Sequence, residues 1–192
     1  VAYRLFDEAG QGPELTEQEK QWVAVYTRSR HEKKVAARLM DKAIEHYLPL
    51  VERVSQWQDR KKIVAEPLLS GYIFVHCTAA QKLDILQTAG VVQFVKIAGQ
   101  VAVIPAWQIE ALQIFVATYA DEIRHEDYRK YRVGDEVIVV AGPLKGIKGR
   151  IIAGGRHVRF AVGIDQVRSA FSVTVDVDLI EKLVDKRVTR PE

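Results

Sequence analysis

"RVGDEVIVVAGPLKGIKGRI", Arg132 to Ile151, decides how the last third of this 192-residue chain is read. The run Val137–Val140 and the run Ile147–Ile152 flank a corner that holds Gly142, Pro143, Gly146 and Gly149. Proline fixes φ and has no N–H for a strand ladder, so Pro143 belongs in a turn. The glycines admit positive φ and let the backbone pass close to another surface. The two runs are expected to pair across the corner, with Lys145 and Lys148 beside its tip. Short strand-like runs continue from here to "DLIEKL" (Asp178–Leu183), the one helical pattern in this part. Residues 131–183 are therefore expected to form a small β-barrel.

Upstream the periodicity changes. "WVAVYT" (Trp22–Thr27) reads as a buried strand. "SRHEKKVAARLMDKA" follows with helical spacing: Ser29 is the expected N-cap, and Val35, Ala36, Leu39, Met40 and Ala43 form an apolar stripe. "HYLPLVERV" returns to strand with a bend at Pro49, and residues 51–67 read as a hairpin with "QDRK" at its tip. "YIFVHC" is another strand. "AAQKLDILQTAG" is a short helix stopped by Gly90, and "VVQFVKIAGQVAVIP" is a strand, a glycine turn and a short strand. Pro105 is expected at the first position of a third helix, "PAWQIEALQIFVATY". Strands and helices joined by short connections predict an α+β fold, with an antiparallel sheet flanked by helices over residues 21–118. Residues 1–20 read as a mobile extension, 119–130 ("YADEIRHEDYRK") as a polar linker and 184–192 as a tail.

Composition narrows the chemistry. Charged residues make up 28% of the chain but the net charge is only +3, so a nucleic-acid role needs local clustering. No apolar run approaches the roughly 18 residues of a membrane span, and the N-terminus lacks a secretory pattern. Cys77 is the single cysteine, which leaves no disulfide framework and no thiolate zinc site. A cytoplasmic, monomeric protein is the expectation. Catalysis finds no support: His31, His46, His76, His125 and His157 lack metal-ligand spacing, and no phosphate-binding or nucleophile-elbow motif occurs. No enzyme activity, metal or cofactor is expected.

Two basic clusters stand out. Arg30, Lys34, Arg38 and Lys42 recur every four residues along the first helix, so they form a slowly drifting ridge. Residues 28–42 contain six Lys/Arg against two acids. A solvated helix face explains such a ridge on an isolated helix. At the hairpin tip Arg60, Lys61 and Lys62 stand beside Trp57, where an aromatic ring can stack on an unpaired base while the cations hold phosphates.

The corner is similar to the KOW motif of ribosomal and transcription proteins. Four blocks occur in the order expected of the NusG family: "WVAVYTRSRHEKKVAARL", "YLPLVERVSQWQDRKKIVAEPLLSGYIFV", "LQTAGVVQFVKIAGQVAVIP" and "VGDEVIVVAGPLKGIKGRI". Together they cover nearly everything from Trp22 to Leu183. "YTRSRHEKKVA" and "QWQDRKK" look more like the specialised UpxY-type antiterminators. The resemblance implies an α/β sandwich followed by an SH3-like KOW barrel.

It also implies partners. The first domain would bind the clamp helices of bacterial RNA polymerase through an apolar patch of Tyr26, Leu69, Tyr72, Phe94, Ile109 and Leu112. Taken alone, Phe94 reads more often as core. The family commonly shows Phe-Pro-Gly-Tyr where this chain has Leu69-Ser70-Gly71-Tyr72. Arg28, Arg30, Lys34, Arg38, Trp57, Arg60, Lys61 and Lys62 would lie near upstream or non-template DNA. The barrel would take a ribosomal protein or a termination factor through Leu144, Lys145, Ile147 and Lys148. Its density in Val and Ile argues for a stable barrel that does not refold into helices. The implied role is a transcription elongation regulator acting by antitermination on particular operons. A different reading is an RNA-binding, ribosome-associated module without polymerase contact.

Overall fold

The computed structural model describes residues 15–57, 60–120, 124–127, 134, 136–153, 157–176 and 179–182. The first half contains β1 (Gln21–Thr27), α1 (Glu32–Asp41), β2 (Glu45–Tyr47), β3 (Leu50–Trp57), β4 (Arg60–Pro67) and β5 (Tyr72–Cys77). It continues with α2 (Lys82–Leu86), β6 (Val91–Phe94), β7 (Lys96–Ile97), β8 (Gln100–Val101), β9 (Val103–Ile104) and α3 (Ala106–Tyr119). The second half contains β10 (Arg124–Asp127), β11 (Glu136–Val139), β12 (Lys148–Ala153), β13 (His157–Ile164), β14 (Ser169–Asp176) and β15 (Ile180–Lys182).

In the first sheet β2, β5, β1 and β6 lie side by side, with β9 also paired to β1. All these ladders are antiparallel. Because strand side chains alternate, β1 feeds two cores. Val23 and Val25 meet Val35 and Leu39 of α1, Ile85 of α2, and Ile73 and Val75 of β5. Ala24 meets Phe74 of β5 and Ile109, Leu112 and Phe115 of α3 on the other face. β3 and β4 form a separate two-stranded hairpin.

The second sheet is antiparallel and six-stranded, in the order β10-β14-β13-β12-β11-β15. Phe160, Val162 and Ile164 of β13 and Phe171, Val173 and Val175 of β14 belong to the same buried cluster as the α3 residues. α3 is thus packed by sheets on two sides, while Ala106, Glu110, Gln113, Ala117 and Thr118 stay exposed along its remaining face. The result is a mixed α+β fold, as the sequence predicts.

The opening corner folds as its residues suggest. Gly146 N–H donates to the Val139 carbonyl at 2.7 Å and Val139 N–H donates to the Ile147 carbonyl at 3.0 Å. Gly142 and Gly146 take positive φ. Gly149 serves a different purpose: a Cβ there would run into the Ala161 carbonyl and sit 2.6 Å from a Phe160 ring carbon. β12 and β13 can approach this closely only over a glycine.

Several local expectations need correction. His31, not Ser29, precedes α1, and it makes no side-chain cap. Met40 is 68% exposed because it falls off the Val35–Leu39 stripe, and Ala43 lies beyond the helix at φ 53°. α2 ends at Leu86, short of Gly90. Pro105 is the residue before α3 rather than its first turn. "DLIEKL" supplies strand β15, because the edge of β11 offers it a ladder that outweighs a weak helical pattern. The polar stretch 119–130 contains β10, which pairs with β14 and so begins the second sheet inside the expected linker.

Candidate functional site

β1 and β5 bring Tyr26 and Tyr72 directly opposite each other at one end of the first sheet. Their rings lie 4.7 Å apart at 42°, and Tyr72 Oη donates to Tyr26 Oη at 3.2 Å. Burial pushes the Tyr72 phenol up to about 12, the neighbouring Tyr26 adds to this, and Arg168 opposes it. Leu69, Ile109 and Leu112 join the same face of the sheet, all buried. Phe94 does not. It packs on the opposite face with Val25, Val35 and Leu39.

The turn before β5 is held from three directions. Thr27 N–H donates to the Gly71 carbonyl at 2.8 Å, and Leu68 N–H donates to the Pro49 carbonyl at 2.8 Å. Gly71 N–H donates to Oε1 of Glu32 at 2.7 Å. Gly71 sits at φ 82°, in the left-handed region, so glycine is needed there.

The second half lies over this face. Gln166, in the short 3₁₀ turn between β13 and β14, donates from Nε2 to the Val103 carbonyl at 2.9 Å. Phe115 of α3 meets Phe160 of β13 edge-on, with ring centroids 6.1 Å apart. At the KOW-like corner Leu144 and Ile147 are buried in the shared cluster, Lys145 is exposed and Lys148 is half-buried. Lys145–Lys148 and the α3 residues Trp107, Glu110, Ala111 and Ile114 line a cleft of ≈ 320 Å³. The patch and the corner, inferred as separate docking faces, therefore belong to one buried cluster.

The basic ridge splits along its length. Arg28, Arg30, Lys33 and Lys34 are exposed around the start of α1. Arg38 instead donates to the Ala89 carbonyl, and Lys42 Nζ donates to the Asp84 carbonyl at 2.6 Å and to Thr88 Oγ1 at 2.9 Å. The far end of the ridge thus ties α1 to α2. Trp57 and Arg60 are opposite each other in the β3–β4 register. The side chains of Trp57, Arg60, Lys61 and Lys62 lie outside the described residues.

A polar row on the patch face escapes the sequence reading. His76 Nδ1 lies 2.8 Å from Oε2 of Glu45, Lys20 approaches the same carboxylate at 3.5 Å, and Trp22 stacks on His76 at 4.8 Å. The hydrogen bond from His76 holds the Glu45 carboxyl below its ordinary value. Only the β2–β5–β1 register brings these residues together. Glu32 and Gln166 were missed for the same reason: each meets a partner far away in the chain. Burial pushes the Cys77 thiol up to about 11, which leaves it a poor nucleophile or metal ligand at neutral pH. Among the described residues no group of three His, Cys, Asp or Glu could hold a metal, and no helix is long and apolar enough to cross a membrane.

Residues 20–113 match the family model described as "Transcription termination factor nusG". The chain is similar to the structure described as "Domain interaction in Thermotoga maritima NusG", with 22% identity over 88% of this chain and 99% of that one, at a TM-score of 0.48. Conformations A and B of an MjSpt4:Spt5 complex are each 18% identical over 85% of this chain. They cover 99% and 97% of their own chains, at TM-scores of 0.27 and 0.28. No curated protein matches.

Proposed function

From a chain that carries a NusG-family domain over residues 20–113, we propose a transcription elongation regulator that binds bacterial RNA polymerase through the face around Tyr26 and Tyr72. The observation that supports this most is the tyrosine pair itself. Two half-buried phenols, tilted against each other at a sheet end over the buried Leu69, Ile109 and Leu112, combine ring area with polar tips, the composition that anchors protein interfaces. Leu69, Ile109 and Leu112 act as the floor of the patch, and the tyrosines act as its reachable part.

The second half covers much of that floor, so polymerase binding requires the Gln166–Val103 and Phe115–Phe160 contacts to part. In this reading the covered form is the resting one, and polymerase selects the parted form by binding it better. The second sheet keeps its strands as it moves, as its density in Val and Ile argues. Arg28, Arg30 and Lys34 then contact nucleic acid beside the polymerase, where phosphate contacts give salt-dependent affinity. The finer assignment, antitermination on particular operons with a ribosomal protein or termination factor on the KOW-like corner, rests on the family resemblance of the sequence blocks.

The test is binding of the full chain to purified bacterial elongation complexes, wild type against Tyr26→Ala with Tyr72→Ala. Leu69 is a poor site for this purpose because it is buried. We expect the folded double variant to bind at least roughly tenfold more weakly, since interface aromatics typically cost over 1 kcal/mol when truncated. Equal binding by both proteins removes the patch from the account. Failure of the wild type to bind polymerase, with steeply salt-dependent RNA binding, moves the protein to the RNA-module reading.

A further inference from the structure

Three loops converge where β1 ends, and one carboxylate ties two of them, the start of α1 and the turn before β5. Glu32 opens α1, yet it is only 4% exposed. Acids in a first helical turn commonly face water and act on the helix dipole. A buried carboxylate must instead find hydrogen-bond donors in the protein. Glu32 finds one in the Gly71 N–H, across 39 residues of sequence. Gly71 is itself locked by its left-handed φ and by its carbonyl, which accepts from Thr27. Tyr26 immediately precedes Thr27, and Tyr72 immediately follows Gly71. On the other side of Glu32, Arg28 N–H donates to the Gly90 carbonyl at 2.8 Å, and the exposed Arg28 and Arg30 form the turn into α1.

We propose that Glu32 is a positioning residue, which sets the Leu69–Tyr72 turn against the start of α1 so that the tyrosine pair and the Arg28/Arg30 turn keep one fixed relation. This rests on the polymerase-patch reading above. Glu32 itself touches neither partner. It acts through the Gly71 amide, and an uncharged carbonyl in the same place serves nearly as well.

Full-length wild type, Glu32→Gln, Glu32→Ala and Tyr72→Ala separate the possibilities. Two readouts are needed: hydrogen exchange of the Gly71 amide by NMR, and binding to bacterial elongation complexes. In Glu32→Ala the Gly71 amide exchanges roughly tenfold faster or more, and binding weakens by roughly tenfold, the scale of one lost hydrogen bond to a charged acceptor. Glu32→Gln stays within about threefold of wild type in both, because its side-chain oxygen still accepts. A purely structural role lowers melting temperature in Glu32→Ala while leaving Gly71 exchange and binding by the folded fraction unchanged, and that result overturns the proposal. So does Glu32→Gln behaving like Glu32→Ala. If Tyr72→Ala binds as tightly as wild type, the patch reading fails by itself, and Gly71 exchange decides whether Glu32 positions the turn.

Discussion

Gly149 tolerates no side chain, and the reason lies across the sheet rather than in its own backbone angles. Gly149→Ala puts a methyl against the Ala161 carbonyl and the Phe160 ring. Overpacking of this kind costs about 1–3 kcal/mol, which lowers the melting temperature by roughly 2–12 °C for a chain of this size. An unchanged thermal transition would contradict the close approach. Tyr47 and Tyr72 give a second residue-scale prediction, because burial pushes both phenols from 10.0 up to about 12. The folded protein then holds these protons more tightly than the unfolded chain. Their contribution to stability is complete below pH 10 and is lost as pH rises towards 12. Urea unfolding at successive pH values, with ultraviolet titration of the phenols, measures this. At this scale motif resemblance made Tyr26 and Tyr72 legible as patch candidates, but it added Phe94 to them, although that residue read alone favoured the core in which it lies. β6 is only four residues long and its register with β1 shifts between Tyr26 and Thr27, so side-chain parity could not be counted across it.

Among the elements, α3 bears the largest burden. Its residues face both sheets, and Phe115 is fully buried between Leu112 and Phe160 within one cluster. Phe115→Ala is expected to cost about 3–5 kcal/mol, as truncation of a buried aromatic does. It loosens the second sheet as well as the first, so protection from hydrogen exchange drops in β13 along with β1. Protection lost from β1 alone would mean that α3 does not join the halves. Long periodic elements were legible in advance: β1, α1, the β3–β4 hairpin, β5 and α3 all stand where alternation or helical spacing put them. Short ones were not. "DLIEKL" carries too few residues for its pattern to resist the ladder offered by β11, and Arg124–Asp127 becomes a strand only because β14 is there to pair with it. α3 keeps Ala106, Glu110, Gln113 and Ala117 exposed on one face while its buried residues meet both sheets, a double covering that helical spacing alone does not show.

For the whole molecule, the central consequence is that the two docking faces inferred from the sequence share one core. If the protein binds polymerase as proposed, its apparent affinity is the intrinsic affinity reduced by the fraction of molecules in the parted form. Gln166 sets part of that fraction. Its Nε2 donates across to the Val103 carbonyl while its buried Oε1 finds no hydrogen-bond partner among the described residues, which limits the net gain of closing. Gln166→Glu places an acceptor against an acceptor and buries a charge. It should raise polymerase affinity by roughly tenfold or more, since each 1.4 kcal/mol against closing is tenfold in population. Composition and periodicity could show two strand-bearing halves, but not that one lies on the other, because that contact depends on side chains from distant segments meeting in space.

Hydrogen exchange of the full chain, free and bound to a bacterial elongation complex, tests this account most directly. Binding should protect Leu68–Tyr72 while exchange speeds up in the β13–β14 turn at Gln166–Arg168 and on the side of α3 now covered by β13. If the turn and α3 stay as protected in the complex as in the free protein, the covered face is not where polymerase binds.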